Sequence, residues 1–136
     1  MAAVIAHSGV IVSADVPRAI AFWCDVLGFF LQSSFGEPPE FAILRRDDAC
    51  QMIALARPDA VTPRHHARAG LMDAYFWVDD ARAFHEAILA RGGRLAQPLE
   101  QQSYGVLDFM VETPDGHHIA FGQDLAGEIG KTEPKT

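Results

Sequence analysis

The chain has 136 residues, 49% of them hydrophobic, and its 11 basic and 18 acidic side chains give a formal net charge of −7. That is enough apolar material for one full core, and the negative charge repels phosphate backbones and anionic lipid, so neither nucleic acid nor a membrane is an expected partner. Cys24 and Cys50 are too few for a disulfide framework, no apolar run nears the roughly 18 residues of a membrane span, and "MAAVIAHSGV" has no secretory leader pattern, so a cytoplasmic protein with reduced thiols is expected.

Val4 to Val12 alternate loosely and are rich in β-branched residues, which predicts a strand. In "SADVPRAIAFWCDVLG" Asp15 stands as a cap, Pro17 fits a first turn, and Ile20, Trp23, Cys24 and Leu27 recur at helical spacing. Gly28 suits the left-handed position that ends such a helix, and Cys24 should pack rather than react. Three strands follow, Phe29 to Phe35, Glu40 to Arg45 and Cys50 to Ala56, separated by "GEPP" and "RDDA". "RPDAVTPRHHARAG", 57–70, holds two prolines and no periodicity and reads as a linker; its "RHHAR" cluster is a weak ligand signal, since loops carry charge for solvation.

The pattern then restarts. Met72 to Val78 reads as a strand, Asp80 to Arg91 as a helix ended by "GG", and Arg94 to Leu99, Tyr104 to Glu112 and His118 to Gln123 as three more strands. "TPDG" between the last two has the composition of a type I turn, with His117 expected at its surface end. The polar tail, 125–136, is expected to fray. The same strand–helix–three-strand order thus occurs twice, offset by about 66 residues. This predicts one α+β domain over 1–136, built of two βαβββ modules, 4–57 and 71–124, that form a curved mixed sheet with an inner cleft and outer helices.

"HSGVIVSADVPRAIAFWCDVLGF" and "YGVLDFMVETPDGHHIAFGQ" together resemble the vicinal oxygen chelate superfamily, which contains glyoxalase I, bleomycin resistance proteins and extradiol dioxygenases. The resemblance runs from His7 to Asp124. It implies paired βαβββ modules and a cleft that, in metal-using members, holds a divalent ion on one side chain from the first and last strand of each module. Those positions match His7, Ala54, Asp73 and Ala120, with His7 and Asp73 set 66 residues apart, as are Ala54 and Ala120. Two alanines leave only two protein ligands where catalytic sites of this kind supply at least three, so no metal and no other cofactor is expected.

Strand alternation extends the list of cleft-facing candidates. From the first module it adds Gly9 and Met52 to His7 and Ala54; from the second it adds Tyr75, Trp77 and His118 to Asp73 and Ala120, with Tyr104 opening the seventh strand and Asp108 in phase behind it. An apolar, aromatic hollow with isolated polar points suits a flat organic molecule. The first functional reading is therefore a metal-independent binding protein that sequesters a planar, cationic or hydrogen-bond-donating organic ligand, resembling the drug-sequestering members and pairing as a homodimer. The alternative is an enzyme, a lyase, isomerase or dioxygenase, that works without metal or with one recruited by substrate, in which His7 is the general base and Asp73 orients it.

Overall fold

The computed structural model describes residues 2–127 and 129. In chain order the elements are β1 (Gly9–Ser13), α1 (Val16–Asp25), β2 (Phe30–Phe35), β3 (Phe41–Arg46), β4 (Ala49–Leu55), two 3-10 turns (Pro58–Ala60 and Arg64–His66), β5 (Ala74–Trp77), α2 (Ala81–Ala90), β6 (Leu95–Gln101), β7 (Val106–Glu112) and β8 (His118–Asp124). The tail expected from 125 onward falls largely outside the described residues.

Both helices begin as their sequences dictate. Asp15 Oδ1 accepts the Arg18 amide at 3.1 Å and Asp80 Oδ1 accepts that of Ala83 at 3.0 Å, each satisfying an orphan donor of the first turn. Gly28 follows α1 with φ +79, the left-handed conformation that a side chain would resist.

Eight strands form two four-stranded mixed sheets, ordered β1-β4-β3-β2 and β5-β8-β7-β6. In each, the first strand runs parallel to the last of its module and the other pairs are antiparallel. Pro98 lies on the edge strand β6 inside a register shift, where a missing amide donor does least harm. The strand expected from Val4 begins only at Gly9, which pairs with Gln51. Among the described residues, 2–8 have no partner strand, and an unpaired extended segment gains no ladder hydrogen bonds.

One core serves both modules. Trp23 and Phe29 of the first meet Phe76 of the second at ring-centroid distances of 6.0 and 5.4 Å, and Phe76 stacks on Phe121 at 5.6 Å. Ile53, Ala42 and Leu44 on one sheet and Ile119, Phe109 and Val111 on the other are buried in the same cluster. Arg46 spans the seam, its guanidinium 4.3 Å from the Phe84 ring centroid while it donates to the Leu27 carbonyl.

The β7–β8 turn is a second brace. Asp115 Oδ1 accepts the Ala14 amide at 3.1 Å, and His117 Nε2 lies 2.7 Å from the Val12 carbonyl, to which it donates. His117, expected at the surface, is 3% exposed. The turn docks on the end of β1, a contact between distant parts of the chain that local pattern does not encode. Replacing His117 by Ala removes the donor and the buried ring, leaving the part-buried Val12 carbonyl without it, so a loss of about 1–3 kcal/mol is expected in urea denaturation.

Candidate functional site

β8 presents two faces. Ile119 and Phe121 enter the core, so His118, Ala120 and Gly122 share the opposite one. The ladder sets Glu112, Met110 and Asp108 of β7 beside those three residues, and Tyr75 and Trp77 of β5 beside Ala120 and Gly122. Gly122 has a local reason: the Tyr75 ring lies across it, and an added Cβ would fall on the Tyr75 hydroxyl.

That hydroxyl donates to Asp108 Oδ2 at 2.9 Å, while Gln97 Nε2 and Gln102 Nε2 each donate to Asp108 Oδ1 at 2.9 Å. Asp108 is 3% exposed, and three donors replace the water it has lost. Burial first, then the hydrogen bond and charge of Asp108, hold the Tyr75 phenol well above its ordinary pKa. Tyr104 is pushed up as well, by desolvation and by the same carboxylate. Trp77 packs on Tyr75 with centroids 4.8 Å apart. Trp77 is 46% and Tyr104 67% exposed, so the module carries an open aromatic shelf over a saturated polar hub.

The structure brings Tyr75, Trp77, Asp108 and Ala120 together as the alternation predicts. Tyr104 joins them electrostatically, but it sits in the turn before β7 instead of opening that strand. Met52 and Ala54 lie on the other sheet, opposite Val10 and Val12. That register corrects the phase of the first strand: Gly9 pairs with Gln51 and shares its face, not that of Met52. His7, two residues before it, is exposed outside the strand and makes no hydrogen bond or ion pair among the described residues.

Asp73 has structural partners. Its Oδ1 accepts the Arg64 amide at 3.1 Å, its Oδ2 accepts the His118 amide at 3.0 Å, and His117 Nδ1 lies 3.5 Å away. The four positions implied by the resemblance therefore do not fit a metal ion: two bring no donor atom, one is occupied by backbone amides and one is detached. His7 and Asp73 likewise form no general-base pair. Cys24 packs against the core, and burial pushes its thiol up, away from reactivity. A cleft of about 290 Å³ that shares Trp77 with the shelf opens at the seam between the modules, walled by Phe29, Phe76, Trp77 and Phe84, with Arg46 and the exposed Asp47 and Asp79 at its border.

Sequence reading misses Gln97 and Gln102, whose amides carry no signal of a carboxylate partner, and Glu112, which alternation along β7 places in phase with Asp108. His65 within "RHHAR" stacks on the His118 ring, a contact that the sequence does not signal.

A family model for the Glyoxalase/Bleomycin resistance protein/Dioxygenase superfamily matches residues 4–121. The chain belongs to this superfamily. The bleomycin-binding protein from bleomycin-producing Streptomyces verticillus, solved with copper(II)-bleomycin, is 27% identical with a TM-score of 0.66, over 89% of this chain and 97% of that one. TioX from Micromonospora sp. ML1 is similar at 23% identity and a TM-score of 0.69, over 89% and 99%. TnmS3, an antibiotic binding protein from Streptomyces sp. CB03234, is similar at 20% and 0.70, over 91% and 98%. A comparison with curated protein sequences finds no match.

The shelf makes a direct prediction, because Tyr75 and Tyr104 are the chain's 2 tyrosines and both are raised. In spectrophotometric titration, tyrosinate should form only above the ordinary value of about 10, with Tyr75 last. Tyr75→Phe should abolish that last phase and cost about 1–3 kcal/mol near neutrality. A raised folded-state pKa stabilises fully below the unfolded value, so the deficit of the variant should shrink as pH climbs beyond about 10.

Proposed function

We propose that the protein is a small-molecule binding protein that sequesters a planar, cationic organic ligand without a metal at the superfamily's four positions. The observation that carries this is the shelf of Tyr75 and Trp77, open on one side and braced beneath by Asp108, with the exposed Tyr104 near enough to feel the same carboxylate. Ala120 and Gly122 beside it supply neither charge nor bulk, so a flat ring system meets aromatic faces instead of a coordination sphere. The 27% identical neighbour is a bleomycin-binding protein, which supports the same class of role here. A net charge of −7 favours a cation, and contact with the faces of Trp77 or Tyr104 adds roughly 0.5–2 kcal/mol. His118 and Met110 extend the same face, and Met52 and Ala54 line the corresponding face of the first sheet.

We further propose one domain acting as a homodimer in the cytoplasm. Val4 and Ile5 are 94% and 95% exposed in the unpaired segment 2–8, and Val10, Phe35 and Leu55 are exposed on the first module, surface that a second copy would cover. Two free cysteines suit a reducing compartment. Among the described residues no helix is long and apolar enough to cross a membrane.

Thermal-shift screening and equilibrium dialysis against planar cationic compounds, glycopeptide antibiotics among them, should find a ligand whose affinity Trp77→Ala weakens by roughly 5–30-fold, the equivalent of 1–2 kcal/mol. A library that yields no binder, or a binder indifferent to Trp77, overturns the reading. Light scattering should give a dimer at micromolar concentration, and a monomer there removes the second copy from it.

A further inference from the structure

The paired histidines after the β7–β8 turn separate. His117 enters the seam, whereas His118 meets two side chains from elsewhere. His65, in the 3-10 turn Arg64–His66, stacks on it with ring centroids 3.7 Å apart and planes 4° from parallel. Glu112, its cross-strand partner, places Oε1 3.2 Å from His118 Nε2. His65 Nε2 lies 2.9 Å from the Gly116 carbonyl, and a carbonyl only accepts. Nε2 therefore carries the hydrogen, which leaves the Nδ1 lone pair of His65 free. Metal-binding imidazoles are commonly oriented in this way, with the second ring N–H on a backbone carbonyl.

We propose that His65, Glu112 and His118 form a binding site for a divalent first-row transition ion, zinc above all. One ligand atom from each lies within 4.8 Å of the other two. Around tetrahedral zinc, with bonds of about 2.0–2.2 Å, ligand atoms sit roughly 3.3–3.6 Å apart. The His118–Glu112 pair, at 3.2 Å, is just short of that spacing, and His65, on a loop, closes the remainder by turning its ring about the Nε2–Gly116 hydrogen bond, which gives up the parallel stack because the in-plane lone pairs of stacked rings do not converge. Two imidazoles and one carboxylate form a borderline donor set that favours zinc or copper over magnesium or calcium. His118 takes the tautomer with hydrogen on Nδ1, and the carboxylate exchanges its hydrogen bond for a bond to the ion. The Glu112 side chain is 36% exposed, so a fourth position stays open to water. Such an ion clamps the segment 57–70 to the β7–β8 hairpin.

This site uses none of the four positions implied by the resemblance to metal-using relatives, and none of the shelf aromatics. Its test needs no organic ligand, so its failure leaves the binding reading standing, and the reverse also holds.

Isothermal titration of zinc into protein dialysed against chelator should show one equivalent bound in the micromolar range or tighter. His65→Ala, Glu112→Gln and His118→Ala should each weaken it by about tenfold or more, by the loss of a ligand or its charge. Glu112→Gln keeps the shape of the side chain and an oxygen acceptor, so a loss there is not misfolding; far-UV circular dichroism checks all three. His85→Gln, on α2, should leave affinity unchanged. Cobalt(II) should bind with the intense visible bands of a four-coordinate ion and lose them in the same three variants. No zinc uptake at millimolar concentration, or uptake that survives all three substitutions, means the cluster is a hydrogen-bonded stack and overturns the proposal.

Discussion

A carboxylate withdrawn from water must find donors, and where Asp73 finds them determines how the rest of the second module meets the first. Its two oxygens accept amides from Arg64 and His118, residues 54 positions apart in sequence, so one side chain joins the inter-module segment to the start of β8. With that junction set, His117 is turned toward the Val12 carbonyl and His65 is laid over His118. An apolar residue at 73 would leave two amides without partners and release both contacts. The position implied as a metal ligand therefore does architectural work with the same chemistry, an anionic oxygen aimed at positive partners.

Alternation along β8 divides the labour that follows. Ile119 and Phe121 join the aromatic chain that binds the modules, while Ala120 and Gly122, small and uncharged, leave room above the sheet. Tyr75 fills part of that room because Gly122 lets its ring lie flat, and its hydroxyl then reaches Asp108. Loss of side-chain volume on one strand is thus coupled to gain of an aromatic surface on its neighbour. The polar hub makes the surface rigid: a ring held at its far end by a buried hydrogen bond keeps its orientation when nothing is stacked on it.

How much of this could be read from the sequence depended on range. The helices, their caps at Asp15 and Asp80 and the order of the strands were legible because capping, periodicity and turn chemistry act within a few residues. The phase of β1 was not. Aligning the modules on their capping aspartates gives an offset of 65, one less than the offset between Ala54 and Ala120, and a single residue moves a strand's side chains to the other face. Ser8, and not His7, then corresponds to Asp73. The burial of His117, the donors of Asp108 and the meeting of His65 with Glu112 and His118 all join segments far apart in the chain, for which composition holds no signal. That Tyr75, Trp77 and Asp108 share one face of the second sheet was legible because alternation within a strand is itself local.

The state of Asp108 bears on what kind of selectivity the shelf can have. A carboxylate that already accepts from Tyr75, Gln97 and Gln102 would have to surrender one of those bonds to serve as a counter-ion, at the cost of a desolvated group left partly unpaired. Asp73 is engaged in the same way. Attraction to the cation proposed as ligand would then come from the faces of Trp77 and Tyr104, a short-range term, and from the excess of acidic groups over the whole surface, which salt screens beyond about 8 Å under physiological conditions. The long-range part raises the local concentration of any cation and discriminates little among them. In the binding role proposed, discrimination would arise at contact, where the area of flat surface a ligand lays against Tyr75 and Trp77 counts for more than its charge; Ala120 and Gly122, both buried, act through the room they give the Tyr75 ring.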